Sequence, residues 1–194
     1  MGALLWGGAG GGLELRADDE GGARLSGRFP YFAATELGPG RRESIAARAF
    51  RSRIDAGEEI HLLLGHDFNR PLASTRAGSL RIEDRDDALV FTATISPDVA
   101  ASTTGRDALA MIRGRLATGV SPGFIVPPGG DEVQRRGEGL LRVVRTAELH
   151  EISIVARPAY PLAQVEARSW SVPPASDRPS RKAAAFLRTH RRWR

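Results

Sequence analysis

The chain contains no cysteine, which excludes disulfide bonds, thiolate metal sites and a cysteine nucleophile. Histidine is scarce as well: only His61, His66, His150 and His190 are present, so any imidazole base comes from a short list. Long apolar runs are missing, and no stretch approaches the roughly 18 to 20 apolar residues that a spanning helix needs. Residues 1–12 join a short apolar run at 3–6 to a string of glycines, without the basic start and longer apolar core of an export signal. These absences predict a soluble, non-exported protein with no membrane partner. An excess of positive charge is lacking over most of the chain. Residues 165–194 carry eight basic side chains against two acidic ones, which leaves 20 basic and 21 acidic residues elsewhere. A nucleic-acid-binding core would show a positive face on its folded domain, so nucleic acid is not expected as a partner except weakly through this tail.

What is present is an ordinary globular mixture, 41% hydrophobic and 26% charged over 194 residues. That suffices for one buried core but not for two full domains. The expected organisation is a flexible glycine-rich N-terminus at residues 1–12, a folded domain at 13–164, and a basic, flexible C-terminal tail at 165–194 that opens with a Ser/Pro-rich linker.

Strand and helix signals alternate along the chain. Period-two patterns predict strands at 13–16 and 23–33, the second broken by Gly27 and Pro30. Ile45, Ala46, Ala49 and Phe50 share one helical face and predict a short surface helix over 43–53. The largely apolar segment at 59–64 reads as a strand that Gly65 ends just before His66, with a polar loop at 67–70. Strands at 79–83 and 88–95 flank a turn and predict a hairpin. Ser96-Pro97-Asp98 is the best helix start in the chain, with a capping serine, a proline at the first helical position and a carboxylate near the positive dipole end. Gly105 is expected to split this helical stretch, and Leu109, Ile112 and Leu116 form an apolar stripe that Gly119 stops. A strand at 120–126, a loop at 127–137 and strands at 140–145 and 148–155 complete the pattern. Many short strands with two or three helices point to an α+β, mainly β fold, a small and mostly antiparallel β-barrel flanked by helices.

Three segments carry residue types suited to catalysis at strand edges: Gly65-His66-Asp67, Ser121-Pro122-Gly123-Phe124, and Glu148-Leu149-His150-Glu151-Ile152-Ser153. A serine hydroxyl is a poor nucleophile until a base takes its proton, and neutral imidazole is the usual base near working pH. A third group then orients the ring. His190 lies in the tail. His61 and His66 are separated by an odd spacing, so on an uninterrupted strand they point to opposite faces, and His66 is the one that follows a glycine into a polar loop. Ser121 precedes a proline, which favours extended backbone. Pro122 lacks an N–H, so an oxyanion hole needs Gly123, Phe124 or a group from elsewhere. On a regular strand Glu151 shares a face with Ser153 and Val155, whereas His150 shares the other with Ile152 and Ile154. The two cannot both face one site, and a carboxylate accepting the imidazole N–H is the commoner third member, so Glu151 is the first choice and His150 the second. Each piece also has a plainer reading: a surface histidine, an edge strand containing a proline, a solvated glutamate.

Taken together and in this order, the segments resemble the prohead proteases of tailed phages and gene transfer agents. The likeness rests on Leu62-Leu63-Leu64-Gly65-His66-Asp67, on the Ser-x-Gly-Phe segment at Ser121–Phe124, on Glu151-Ile152-Ser153 with Pro158-Ala159 beyond it, and on Ala49-Phe50. The resemblance spans about residues 25–162. It implies a herpesvirus-assemblin-like barrel and a serine endopeptidase, without cofactor or metal, that acts inside an assembling prohead in the bacterial host cytoplasm. The implied substrates are the scaffolding segment of the major capsid protein and the protease's own tail, with self-association inside the shell. Members of this group vary between histidine and an acidic third residue, which keeps His150 beside Glu151.

A competing class is a non-enzymatic capsid assembly or scaffold protein that uses its basic tail to hold an acidic surface. A metal-dependent hydrolase is disfavoured, because His61 and His66 lack the helical i, i+4 spacing of a zinc pair and no third ligand is evident.

Overall fold

The computed structural model describes residues 4–8, 11–17 and 21–156. Within the glycine-rich start, β1 (Leu4–Gly8) pairs antiparallel with β2 (Gly11–Ala17). Along β3 (Ala23–Pro30) buried positions alternate with more exposed ones, as a half-buried strand requires. Gly27 does not interrupt it; the strand ends at Pro30.

The next elements are β4 (Thr35–Gly38), β5 (Arg41–Ile45) and α1 (Arg51–Asp55). The helix expected over 43–53 is thus corrected to the end of a strand, a turn and the start of a short helix. Ile45, Ala49 and Phe50 are all buried, so a strand end and a turn facing the same core imitate helical spacing. β6 (His61–Leu64) and β7 (Asp67–Ser74) come next. The polar loop expected at 67–70 belongs to β7, whose first four side chains are exposed or half-buried and give no apolar alternation.

β8 (Leu80–Asp84) and β9 (Ala88–Ile95) form the expected hairpin. In α2 (Pro97–Ala101) the Ser96 side chain caps the helix by accepting the Val99 N–H. Ser102, in extended backbone, ends α2 and caps α3 (Thr103–Arg113) by accepting the Gly105 N–H at 3.0 Å. The helix break therefore falls at Ser102 rather than Gly105. Gly105 serves the corner in another way: a methyl group there would stand 1.9 Å from the Val99 carbonyl oxygen. α3 ends at its cap, Gly114, and Leu116 leaves the apolar stripe for solvent.

β10 (Gly119–Ile125), β11 (Asp131–Arg136), β12 (Gly139–Val144) and β13 (Glu148–Val155) complete the described chain. The loop expected over 127–137 contains β11, a strand that its charged side chains disguise. Part of that charge is internal: buried Arg142 on β12 bonds Asp131 on β11 and donates to Glu43 on β5 at 2.7 Å.

Hydrogen bonding divides the strands into three sheets, ordered β1-β2-β3-β9-β8, β10-β13-β6-β7 and β11-β12-β5-β4. The first is antiparallel throughout, whereas the other two are each centred on a parallel pair, β13–β6 and β12–β5. The fold is mainly β, as expected. The small, mostly antiparallel barrel expected is not closed by the ladders among the described residues, which form three sheets; β5 and β6, though consecutive, pair into different ones. All three enclose one core: Leu25 and Phe91 from the first, Leu62, Val120 and Ile152 from the second, and Ile45 and Val144 from the third belong to the same buried cluster. Gly27 lets β10 lean on the first sheet, since a methyl group there would lie 2.2 Å from the Phe91 ring and 3.0 Å from Val120. No helix among the described residues is long and apolar enough to cross a membrane. The basic tail at 165–194 and the pair Pro158-Ala159 lie outside the described residues.

Candidate active site

The second sheet assembles the candidate site. Leu62, Leu63 and Leu64 are all buried on β6, an inner strand of its sheet between β13 and β7. The chain then curls through two left-handed residues, Gly65 (φ 69) and His66 (φ 62). Glycine accepts that conformation without cost, but a histidine adopts it only uncommonly. Two hydrogen bonds tie the curl to β13: Gly65 N–H donates to the Ile154 carbonyl at 3.0 Å, and His66 N–H donates to Ser153 Oγ at 2.9 Å.

Glu151, mid-strand on β13 and only 3% exposed, faces this curl. Its Oε1 lies 2.7 Å from His66 Nδ1, and its Oε2 accepts the Ser153 hydroxyl at 2.6 Å. Burying a carboxylate is costly unless hydrogen bonds replace its water, and both oxygens are engaged. A neutral imidazole facing a carboxylate through Nδ1 carries its proton there, which leaves the lone pair on Nε2. That nitrogen is buried and has no hydrogen-bond partner among the described residues.

β10 flanks β13 on the other side. Ser121 pairs with Ser153, Pro122 with Ile152 and Gly123 with Glu151. Directly opposed residues on antiparallel strands share a face, their Cβ atoms about 4.5–5.5 Å apart. Ser121, which is buried, is thus one strand across from the serine that holds His66. β10 is an edge strand of its sheet, the position in which a strand tolerates Pro122. The Glu151 side chain lies over Gly123, where a methyl group would stand 1.9 Å from Oε1.

The ladder skips a residue after this point, because the next pair is Phe124 with Leu149. His150 is the extra residue of that bulge, and its ring turns to Arg53 on α1, with Nε2 3.2 Å from the guanidinium. Burial first, and then the Arg53 charge, hold its pKa below the usual value. The structure therefore brings Glu151 to His66 and gives His150 a different partner. Phe124 stacks obliquely on Phe50 with ring centres 5.3 Å apart. His61 sits beside Glu59, with its ring edge-on to Phe68. No cluster of three metal-ligating side chains occurs among the described residues.

Residues 11–177 match the family described as caudovirus prohead serine protease. The chain belongs to this family. The comparisons with curated proteins and with solved structures found no match. For a prohead serine protease, sequence reasoning singled out His66, Ser121 and Glu151 but left two neighbours without their parts. Ser153 was legible only as a residue on the same face as Glu151, and Gly123 only as an amide donor. What the pattern did not show is that the Glu151 side chain needs the space above Gly123.

Proposed function

We propose that this chain is the serine endopeptidase of prohead maturation, with Ser121 as nucleophile, His66 as general base and Glu151 as the group that orients the imidazole. The observation that carries this reading is the 2.7 Å contact between Glu151 and His66 Nδ1, with Nε2 left to receive a proton. Ser121 Oγ attacks the scissile carbonyl as its proton passes to Nε2, and Glu151 stabilises the imidazolium. The Gly123 or Phe124 amide is the candidate donor to the oxyanion, since Pro122 has none. Collapse transfers the proton to the departing amine and leaves an ester on Ser121. Water, deprotonated by His66, then cleaves the ester and restores the hydroxyl. Catalytic hydrogen bonds that are loose without substrate tighten in its complex, which is the closure required of Ser121 and His66.

The proposed substrates are the scaffolding segment of the major capsid protein and the protease's own basic tail, cut inside the assembling prohead in the host cytoplasm, where copies of the chain gather. Co-expression with the cognate capsid protein, and then intact-mass measurement, tests the reading. Truncated capsid protein is expected with the parent chain and full-length protein with Ser121→Ala. The same truncation in both removes the mechanism.

A further inference from the structure

We infer that Ser153 is a positioning residue that sets the His66–Glu151 pair through a single hydroxyl. The catalytic meaning of this inference rests on the function proposed above, but its geometry does not. Ser153 is fully buried. In the ladder it stands between Ser121 on β10 and Leu63 on β6, the strand that delivers His66. Its hydroxyl donates to Glu151 Oε2 at 2.6 Å and accepts the His66 N–H at 2.9 Å. A serine hydroxyl has one proton to give, and here it goes to the carboxylate while a lone pair holds the backbone of the base.

Each bond does distinct work. The bond to Oε2 fixes the rotation of the carboxylate, so that Oε1 is the oxygen presented to Nδ1. The bond from the His66 amide ties down a residue in left-handed backbone, a conformation uncommon for a non-glycine residue. Ser153 thus joins two side-chain-bearing members of the site that lie 85 residues apart.

The test compares Ser153→Ala, Ser153→Cys and Ser153→Thr with the parent chain by two readouts. One is the proton resonance of His66 Nδ1–H, which a carboxylate partner shifts far downfield and which does not depend on turnover. The other is kcat and KM for capsid-protein cleavage. With folding verified by circular dichroism, Ser153→Ala is expected to displace or lose the resonance. It should also lower kcat about 10- to 100-fold with KM little changed, as loss of a hydrogen bond to a charged group predicts. Ser153→Thr, which keeps the hydroxyl, should recover most of both. Should the alanine variant not fold, Ser153→Cys, close in size with a weak donor, is expected to show the same two effects. A folded Ala or Cys variant with the parent resonance and parent kcat overturns the inference. Cleavage that persists in Ser121→Ala while the resonance still responds to Ser153 would instead sink the proposed mechanism and leave the positioning geometry standing.

Discussion

Gly123 lies directly across the ladder from Glu151, so close that a methyl group on its Cα would stand 1.9 Å from Oε1 and 2.7 Å from the carboxyl carbon. Gly123→Ala keeps the backbone N–H, so a residue that acted only as an oxyanion donor would tolerate it. Displacement of the carboxylate from His66 predicts a loss in kcat/KM approaching the roughly 10⁴-fold seen when an orienting acid is disabled. Steady-state cleavage assays on the folded variant check this, and near-parent activity would refute it.

How far this site was legible in the sequence depended on locality. The strand ending at Gly65-His66, the hairpin of β8 and β9, and the Ser96 cap are written in neighbouring residues, and each forms close to where expected. The helix expected over 43–53 failed because Ile45 and Phe50 face one core from different elements. β11 escaped notice because its charges answer partners across the hairpin it forms with β12, Asp131 with Arg142 and Glu132 with Arg145 just beyond that strand. At the site, the opposite faces of His150 and Glu151 were readable from period two. The bulge that turns His150 to Arg53, and the Ser153 bridge, depend on ladder register, which no local pattern encodes.

His150 and Glu151 are separable by experiment. Burial and Arg53 place the His150 pKa below 6.5 in the folded state, so the native protein binds fewer protons than the unfolded chain between its lowered value and 6.5. Stability therefore rises with pH through that window and is lost as pH falls from 6.5 toward the folded value. His150→Asn should flatten the dependence, measured by urea denaturation between about pH 7.5 and about pH 5.5, and should leave cleavage within a few-fold of the parent. Glu151→Gln should instead cost about 10⁴-fold in kcat. The reverse ranking would make His150 the third member of the site.

Arg142 and Glu43 form an ion pair at 2.7 Å in which both side chains are less than a tenth exposed. Arg142→Met removes the cation that bonds both Glu43 and Asp131, and removing one partner of a buried pair costs about 3–5 kcal/mol. Chemical denaturation should show a loss of this order, with the Glu43→Gln, Arg142→Met double variant recovering part of it. An additive double variant would contradict coupling between the two.

The claim that Ser121 is a nucleophile activated by His66 is tested most directly by covalent capture in a preparation that is actively cleaving capsid protein. A fluorophosphonate reacts with an activated serine hydroxyl by displacing fluoride, and peptide mass mapping locates the adduct. One adduct is predicted, on the peptide containing Ser121, and it should vanish in His66→Ala. An actively cleaving preparation that carries no adduct at Ser121, or one labelled there equally well without His66, would contradict the account.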